Sequence, residues 1–223
     1  MTHRLDARAP DFAARLKAIA AERRVGATDA GRQVAAILAE VRSGGDQALI
    51  ACTRRFDGVE LSPGTLRVGA EEIERALASV DPETLAALNF AASRIRAFHL
   101  RQIPADDMFT DEAGVELGQR WTPIDAVGVY VPGGKAAYPS SVLMNAIPAS
   151  IAGVGRIVMT TPAPKQGGAI HPLVLAAASL AGVHEIYRLG GAQAVAALAY
   201  GTRSLPAVAK LVGPGNDYLA EAK

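Results

Sequence analysis

The sequence predicts an α/β fold in which helices pack on a parallel, Rossmann-like sheet. Three observations predict it. Up to about residue 100, apolar side chains recur at three- and four-residue spacing, the period of a half-buried helix. From Met108 onward, short β-branched runs alternate with glycine-bearing turns and alanine-rich helical stretches. A segment starting at Ala149 also returns at Ala178, as two turns of one βα winding would.

The chain has 223 residues, 50% of them apolar, enough for a sizeable core in one folded unit. Its 23 Lys and Arg stand against 22 Asp and Glu, so no strong field draws it to nucleic acid or an acidic membrane, and a small-molecule partner is expected. Apolar runs such as 124–131 fall far short of the roughly 20 residues of a membrane-spanning helix. No charged start followed by an apolar stretch marks a secretory signal. Cys52, the single cysteine, excludes an internal disulfide and fits a reducing cytoplasm. His3, His99, His171 and His184 never fall within one helical turn of one another, so no metal-ligand cluster can be assembled locally.

Taken in order, residues 1–25 read as an N-terminal arm and 26–223 as one unit, helical over 26–105 and strand-bearing over 106–223. Thr28 is the expected N-cap of a first helix whose apolar face is Val34, Ile37, Leu38 and Val41, with Gly44-Gly45 as its stop. A short helix after Asp46 buries Leu49, Cys52 and Phe56. Asp81-Pro82-Glu83 supplies a cap, a first-turn proline and a first-turn acid, and Leu85, Leu88, Ala92 and Ile95 form the stripe of a helix running to about Leu100.

Val115, Leu117 and Gln119 then alternate with polar or small residues, and Val127, Val129 and Val131 form a β-branched run ending at Pro132-Gly133-Gly134. Further strands are expected near Arg156–Thr160, 185–189 and Lys210–Val212. Their spacing suits right-handed βαβ crossovers. The internal echo pairs Ala149-Ser150-Ile151-Ala152-Gly153-Val154 with Ala178-Ser179-Leu180-Ala181-Gly182-Val183, and Ile157 with Ile186, at an offset of 29 residues. Each copy reads as a helix end, a glycine just past it, and a valine entering a buried strand. After Asn216 a helix begins and reaches Lys223 without a C-cap, an ending that looks artificial.

Three glycine-bearing turns sit where strands hand over to helices: Tyr130-Val131-Pro132-Gly133-Gly134, Gly190-Gly191-Ala192-Gln193 and Gly213-Pro214-Gly215-Asn216. In an open parallel sheet all three fall at the carboxyl edge, where such folds bind ligands. Glycine lets backbone approach a phosphate or a ring, and the following helix offers N–H groups to an anion. The dinucleotide fingerprint itself is absent: Gly153-Val154-Gly155 leads into a strand, and Gly213-Pro214-Gly215 lacks the third glycine. Tyr130 can stack or hydrogen-bond, and the amides of Gln193 and Asn216 can pair with ribose or nicotinamide groups. Equally, Tyr130 can pack on a neighbouring helix and the two amides can cap helices. Ser140 and Ser141 read as N-caps, His99 as a tethered structural histidine, His171 as a helix opener before Pro172, and Cys52 as an inert core thiol.

The stretches Val127-Gly128-Val129-Tyr130-Val131-Pro132-Gly133-Gly134 and Tyr138-Pro139-Ser140-Ser141-Val142-Leu143-Met144-Asn145-Ala146-Ile147-Pro148-Ala149 resemble histidinol dehydrogenases. So do the run from Gly190-Gly191-Ala192-Gln193 to Thr202 and Val212-Gly213-Pro214-Gly215-Asn216. Gly44-Gly45-Asp46-Gln47-Ala48-Leu49 and Phe98-His99-Leu100-Arg101-Gln102 fit more loosely.

The resemblance implies the aldehyde-dehydrogenase-like architecture of that family with its C-terminal half missing. It also implies oxidation of L-histidinol to L-histidine through the aldehyde with two NAD, in histidine biosynthesis. By it, Tyr130, Gln193 and Asn216 match NAD-contacting positions, zinc orients the substrate, and the complete enzyme is a homodimer. The family's zinc ligands and its glutamate-histidine pair follow the Gly-Pro-Gly-Asn block. This chain has no Gln-x-x-His and no Glu-His, so no catalytic residue and no metal ligand is assigned within it, and the zinc ligands are expected beyond residue 223. As a chain of these residues alone it is expected to be inactive. Two other readings stay open: a non-catalytic, truncated nucleotide-binding fragment, and a related dehydrogenase with a different hydroxylated substrate.

Overall fold

A computed structural model describes residues 4–133, 137–164 and 169–223. Helix α1 spans Phe12–Asp57 and is two helices joined at Gly45, whose φ of 55° and ψ of −137° break the helical run. The expected stop at Gly44-Gly45 and the second helix after Asp46 are both found. Helix α1 opens behind Asp11, and its backbone stays helical through position 28, so Thr28 is no cap and helix occupies part of the expected 1–25 arm. The physical reason is local: the stretch from Phe12 is rich in Ala, Arg, Leu, Lys and Glu, whose summed helix preference outweighs one weak cap signal. Beyond the kink Leu49 and Cys52 are buried as expected. Phe56 is not: it is 47% exposed, its ring beneath the Arg55 guanidinium, because it falls off the buried face one turn after Cys52.

Helix α2, Ala70–Ser79, was not foreseen, although Glu71 and Glu72 in its first turn and Ile73 and Ala76 on its buried face carry an ordinary helix signature. Helix α3, Pro82–Leu100, opens as expected with Asp81 accepting from the Thr84 N–H at 2.8 Å. Strands β1, Asp107–Thr110, and β2, Glu116–Gln119, form an antiparallel hairpin whose strand residues are all exposed.

The main sheet is built from β3 (Ala126–Tyr130), β4 (Arg156–Thr160), β5 (Glu185–Tyr187) and β6 (Lys210–Val212), all parallel, in the order β5-β4-β3-β6. Strand β5 stops short of the expected 185–189 because the Arg188 N–H turns to the carbonyl of Leu66 at 2.8 Å. There Val68 donates to Ile186 and Arg67 bridges Tyr187, so the 66–68 segment covers the outer edge of the sheet. Between the strands lie α4 (Pro139–Ile151), α5 (Pro172–Leu180) and α6 (Gly191–Tyr200), and α7 (Asp217–Ala222) follows β6. Helices α4 and α5 pack with α2 and α3 on one face, and α6 and α7 with α1 on the other. The sheet is thus a middle layer between two apolar cores. One contains Val129, Leu143, Leu175 and Ile186, and the other Val41, Leu49, Leu189 and Leu198.

The 29-residue echo is a structural repeat. After α4, Gly153 (φ 83°) donates to Ser150 and Val154 to Ala149; after α5, Gly182 (φ 77°) donates to Ser179 and Val183 to Ala178. Both are the same left-handed C-terminal closure, which requires glycine at its turning position. The strands it launches are then tied at equivalent sites: Arg156, opening β4, makes a two-pronged contact at 2.9 and 2.7 Å with Glu185, opening β5.

Candidate functional site

The winding places the site. The chain leaves β3, moves outward through β4 to β5, and then returns on the opposite face to lay β6 against the other side of β3. The direction of winding reverses between β3 and β6, so the loops leaving their carboxyl ends diverge and leave a crevice. A cleft of about 590 Å³ opens there, within the size range of small-ligand sites. Tyr130 at the end of β3 with Pro132 just past it, Pro162 after β4, Gly191 after β5 and Asn216 after β6 line it, so all four strand ends contribute.

Tyr130 and Asn216 therefore meet in one cleft, as expected of both. The Tyr130 side chain is buried, and its hydroxyl accepts from the Gly191 N–H at 3.3 Å. Burial raises the pKa of this phenol; the Gly191 N–H opposes the rise and the Asp57 carboxylate adds to it. The ring thus stays protonated and keeps an O–H to donate. Asn216 caps α7, its Oδ1 accepting from the Leu219 N–H at 3.1 Å, which leaves the two amide hydrogens on Nδ2 outside the cap. Asn216 thus both caps α7 and lines the cleft.

Gln193 sits differently. It is 1% exposed and does not line the cleft: it stands behind the wall, its Nε2 donating to Asp57 Oδ2 at 3.0 Å. The cleft residue that sequence reading missed is Asp57, the last residue of α1, which lines this cleft and the adjoining hollow toward α5. No local signal could have found it, because it reaches Gln193 across 136 residues of sequence. Its carboxylate stands beside Gly190, at the start of α6. At that helix start the Gly191 N–H is given to the Tyr130 hydroxyl.

The glycines of these turns let neighbouring loops pack closely. A Cβ on Gly213, whose φ is 125°, would overlap the carbonyl oxygen of Tyr130, so the β6 loop can lie against the β3 loop only without a side chain there. Gly134 lies outside the described residues. Ser140 and Ser141 follow Pro139 inside the first turn of α4, whose N-cap is Tyr138 without a side-chain bond. They are no caps, because Pro139 already occupies the first helical position; Ser141 lines the cleft.

The remaining candidates are structural. His171 caps α5 through Nδ1, which accepts from the Leu173 N–H at 3.2 Å, and His99 pairs with Gln102 at 2.6 Å. Cys52 is wholly buried, and burial together with the Glu40 carboxylate pushes its thiol up to about 11. Among the described residues no group of three His, Cys, Asp or Glu is placed to hold a metal ion, and no helix is long and apolar enough to cross a membrane. A second groove of about 580 Å³, more apolar, runs between α4 and the 102–104 and 121–124 loops, but it lies away from the carboxyl rim.

Comparison with known proteins places this architecture. The sequence profile of the family described as histidinol dehydrogenase matches residues 21–223. A histidinol dehydrogenase of Rhodopseudomonas palustris is 57% identical over 223 residues, 100% of this chain and 51% of that protein. One from Rhizobium meliloti is 60% identical over 195 residues, 87% of this chain and 44% of its own. The crystal structure of histidinol dehydrogenase from Elizabethkingia anophelis matches with a TM-score of 0.82 and 37% identity, covering 86% of this chain and 44% of that one. The chain spans about half the length of the curated relatives it matches.

Proposed function

The chain belongs to the histidinol dehydrogenase family, and from that premise we propose that its cleft is the NAD site of an oxidoreductase converting L-histidinol to L-histidine through the aldehyde. The observation that carries the reading is the meeting of Tyr130, at the end of β3, and Asn216, on the loop after β6, in a cleft at the winding reversal of the sheet. NAD bound there supplies the hydride acceptor for both oxidations.

The chain's own residues do the holding. Tyr130, kept protonated by burial, donates its O–H to a ribose or amide oxygen while its ring offers a flat wall. Asn216 presents its Nδ2 hydrogens from a side chain already fixed by its cap, so little rotamer freedom is lost on binding. Pro132 and Pro162 form apolar walls that exclude water from a ring lying between them. Gln193, tied to Asp57 behind the wall, fixes where that carboxylate points.

The family also implies zinc. The donor set among the described residues does not fit it, so no step of the reaction is assigned to a metal held by this chain. The acid-base chemistry likewise has no candidate here, and the chain alone is expected to form no NADH from histidinol.

Equilibrium dialysis of NADH against the chain tests the reading. Saturable binding is expected, weakened at least about tenfold in Tyr130→Ala, the loss of one good contact and its packing. A wild-type chain that binds no dinucleotide overturns it. On a full-length relative, rates with histidinol against other amino alcohols and diols separate the proposed substrate from a different hydroxylated one.

A further inference from the structure

We infer that two copies of this chain dock through faces that a single copy leaves open: the β1–β2 hairpin of each lies along the outer stripe of α3 of the other. The inference is independent of what the cleft holds.

Its grounds are two faces of opposite charge on one molecule. Helix α3 turns Leu88, Ala91, Ala92 and Ile95 toward the sheet. Its outer stripe, at three- and four-residue spacing, is Phe90, Arg94, Phe98 and the capping Arg101, all exposed. Phe90 is 65% exposed and Phe98 61%, a large apolar cost for a helix that nothing covers. The Arg94 guanidinium lies over the Phe90 ring at 5.6 Å, and neither Arg94 nor Arg101 makes an ion pair among the described residues. Residues 84–105 contain no Asp or Glu, so this face is purely basic.

The hairpin is its counterpart. Residues 106–116 carry Asp106, Asp107, Asp111, Glu112 and Glu116 and no Lys or Arg. Phe109 stands opposite Leu117, and the bond from the Asp111 N–H to the Val115 carbonyl continues the ladder. Alternation along each strand therefore puts Asp107, Phe109 and Asp111 on one face with Val115 and Leu117. Three exposed apolar side chains lie there between two carboxylates. Asp111 is held in place, accepting from the N–H groups of Ala113 and Val115, both at 2.9 Å.

The spacings agree. Arg94 and Arg101 stand about 10 Å apart along the helix, and Asp107 and Asp111 about 13 Å apart along the strand. The difference is within the reach of an arginine side chain, so both ion pairs close together, with Phe98 set on Phe109 and Leu117. A two-fold pair makes this contact twice, and a net charge of +1 leaves little general repulsion between copies. The patch is small, so the dimer is weak and the monomer predominates in dilute solution.

Sedimentation velocity of the whole 223-residue chain decides it. The wild-type chain is expected to pass from monomer toward dimer over about a hundredfold rise in concentration, and to dissociate as salt is added. Arg94→Glu, Arg101→Glu and Asp107→Lys, each checked for folding by circular dichroism, are expected to weaken the dimer at least about tenfold, because like charges then meet. Mixing the Asp107→Lys chain with each arginine variant in turn is expected to restore a dimer in one of the two mixtures, since both contacts of that mixed pair regain opposite charges. Which mixture recovers gives the direction of the hairpin along the helix. A chain that stays monomeric overturns the inference and leaves the two faces to another occupant. A dimer indifferent to all three substitutions, or restored in neither mixture, overturns it as well.

Discussion

The carboxyl rim of the four-stranded sheet and the β1–β2 hairpin both carry large apolar residues, yet they end in opposite states. Around the rim Tyr130, Val131 and Leu189 are buried between helices on both faces. On the hairpin and the loops flanking it Met108 is 70% exposed and Trp121 56%, and every strand residue is open to solvent. The difference lies in what stands opposite. Each parallel strand is followed by a helix that packs into a layer beside the sheet, whereas a two-stranded ribbon has two faces and only one turn. Apolar content alone therefore does not create a core; connectivity that returns a second layer does.

The contrast can be strained hardest at Gly213. Gly213→Ala forces a Cβ onto the Tyr130 carbonyl and a side chain into a backbone region that favours glycine. Strain and overpacking of this kind together cost about 3–5 kcal/mol. Urea unfolding followed by circular dichroism should show that loss together with loss of nucleotide binding, and a variant of wild-type stability would show that the β3 and β6 loops are not in fact pressed together. Next in size, Leu175→Ala in the core beside α4 opens a cavity at a fully buried site. It should cost about 2–5 kcal/mol, read by the same urea unfolding.

A smaller effect is expected at the strand starts. Glu185 is pulled down from its ordinary value of 4.5: burial raises it, but the hydrogen bonds and charge of Arg156 outweigh burial. A carboxylate depressed in the folded state adds stability that is complete above the unfolded value and is lost as the pH falls through the folded one. Stability should therefore decline below about pH 4.5 in the wild-type chain. Glu185→Gln should remove this share of the decline and cost about 1.5 kcal/mol at neutral pH, the worth of hydrogen bonds to a charged group. Identical pH profiles for the two chains would exclude Glu185 as their source. Least of all, Phe109→Ser on the hairpin should shift stability by no more than about 0.5 kcal/mol, while lowering the binding of an apolar dye. A large loss of stability there would mean that the hairpin face is covered after all.

The same contrast explains what could be read in advance. The parallel strands, their glycine turns and the 29-residue repeat are local patterns, and each is legible because one residue fixes one conformation: Gly153 and Gly182 close their helices with the same pair of hydrogen bonds. From those, Tyr130 and Asn216 could be brought to one rim before any coordinates. The start of α1 is not legible, because a single threonine resembles a boundary inside a run of strong helix formers. Phe56 was assigned to the core on periodicity, which specifies a face but not where that face runs out of partners. Asp57 and the true place of Gln193 were beyond reach: their meeting depends on how α1 crosses α6, a packing outcome set by side chains spread over both helices.

Cys52 gives the molecule a built-in clock. The only thiol of the chain is sealed on the inner face of α1, and its high pKa keeps it in the unreactive form at neutral pH. A thiol reagent can reach it only during moments when the segment beyond the Gly45 kink lifts from α6, so the pace of labelling counts those moments. That segment ends in Asp57, which lines the cleft, so a ligand that orders the cleft should slow the clock without touching the sulfur at all.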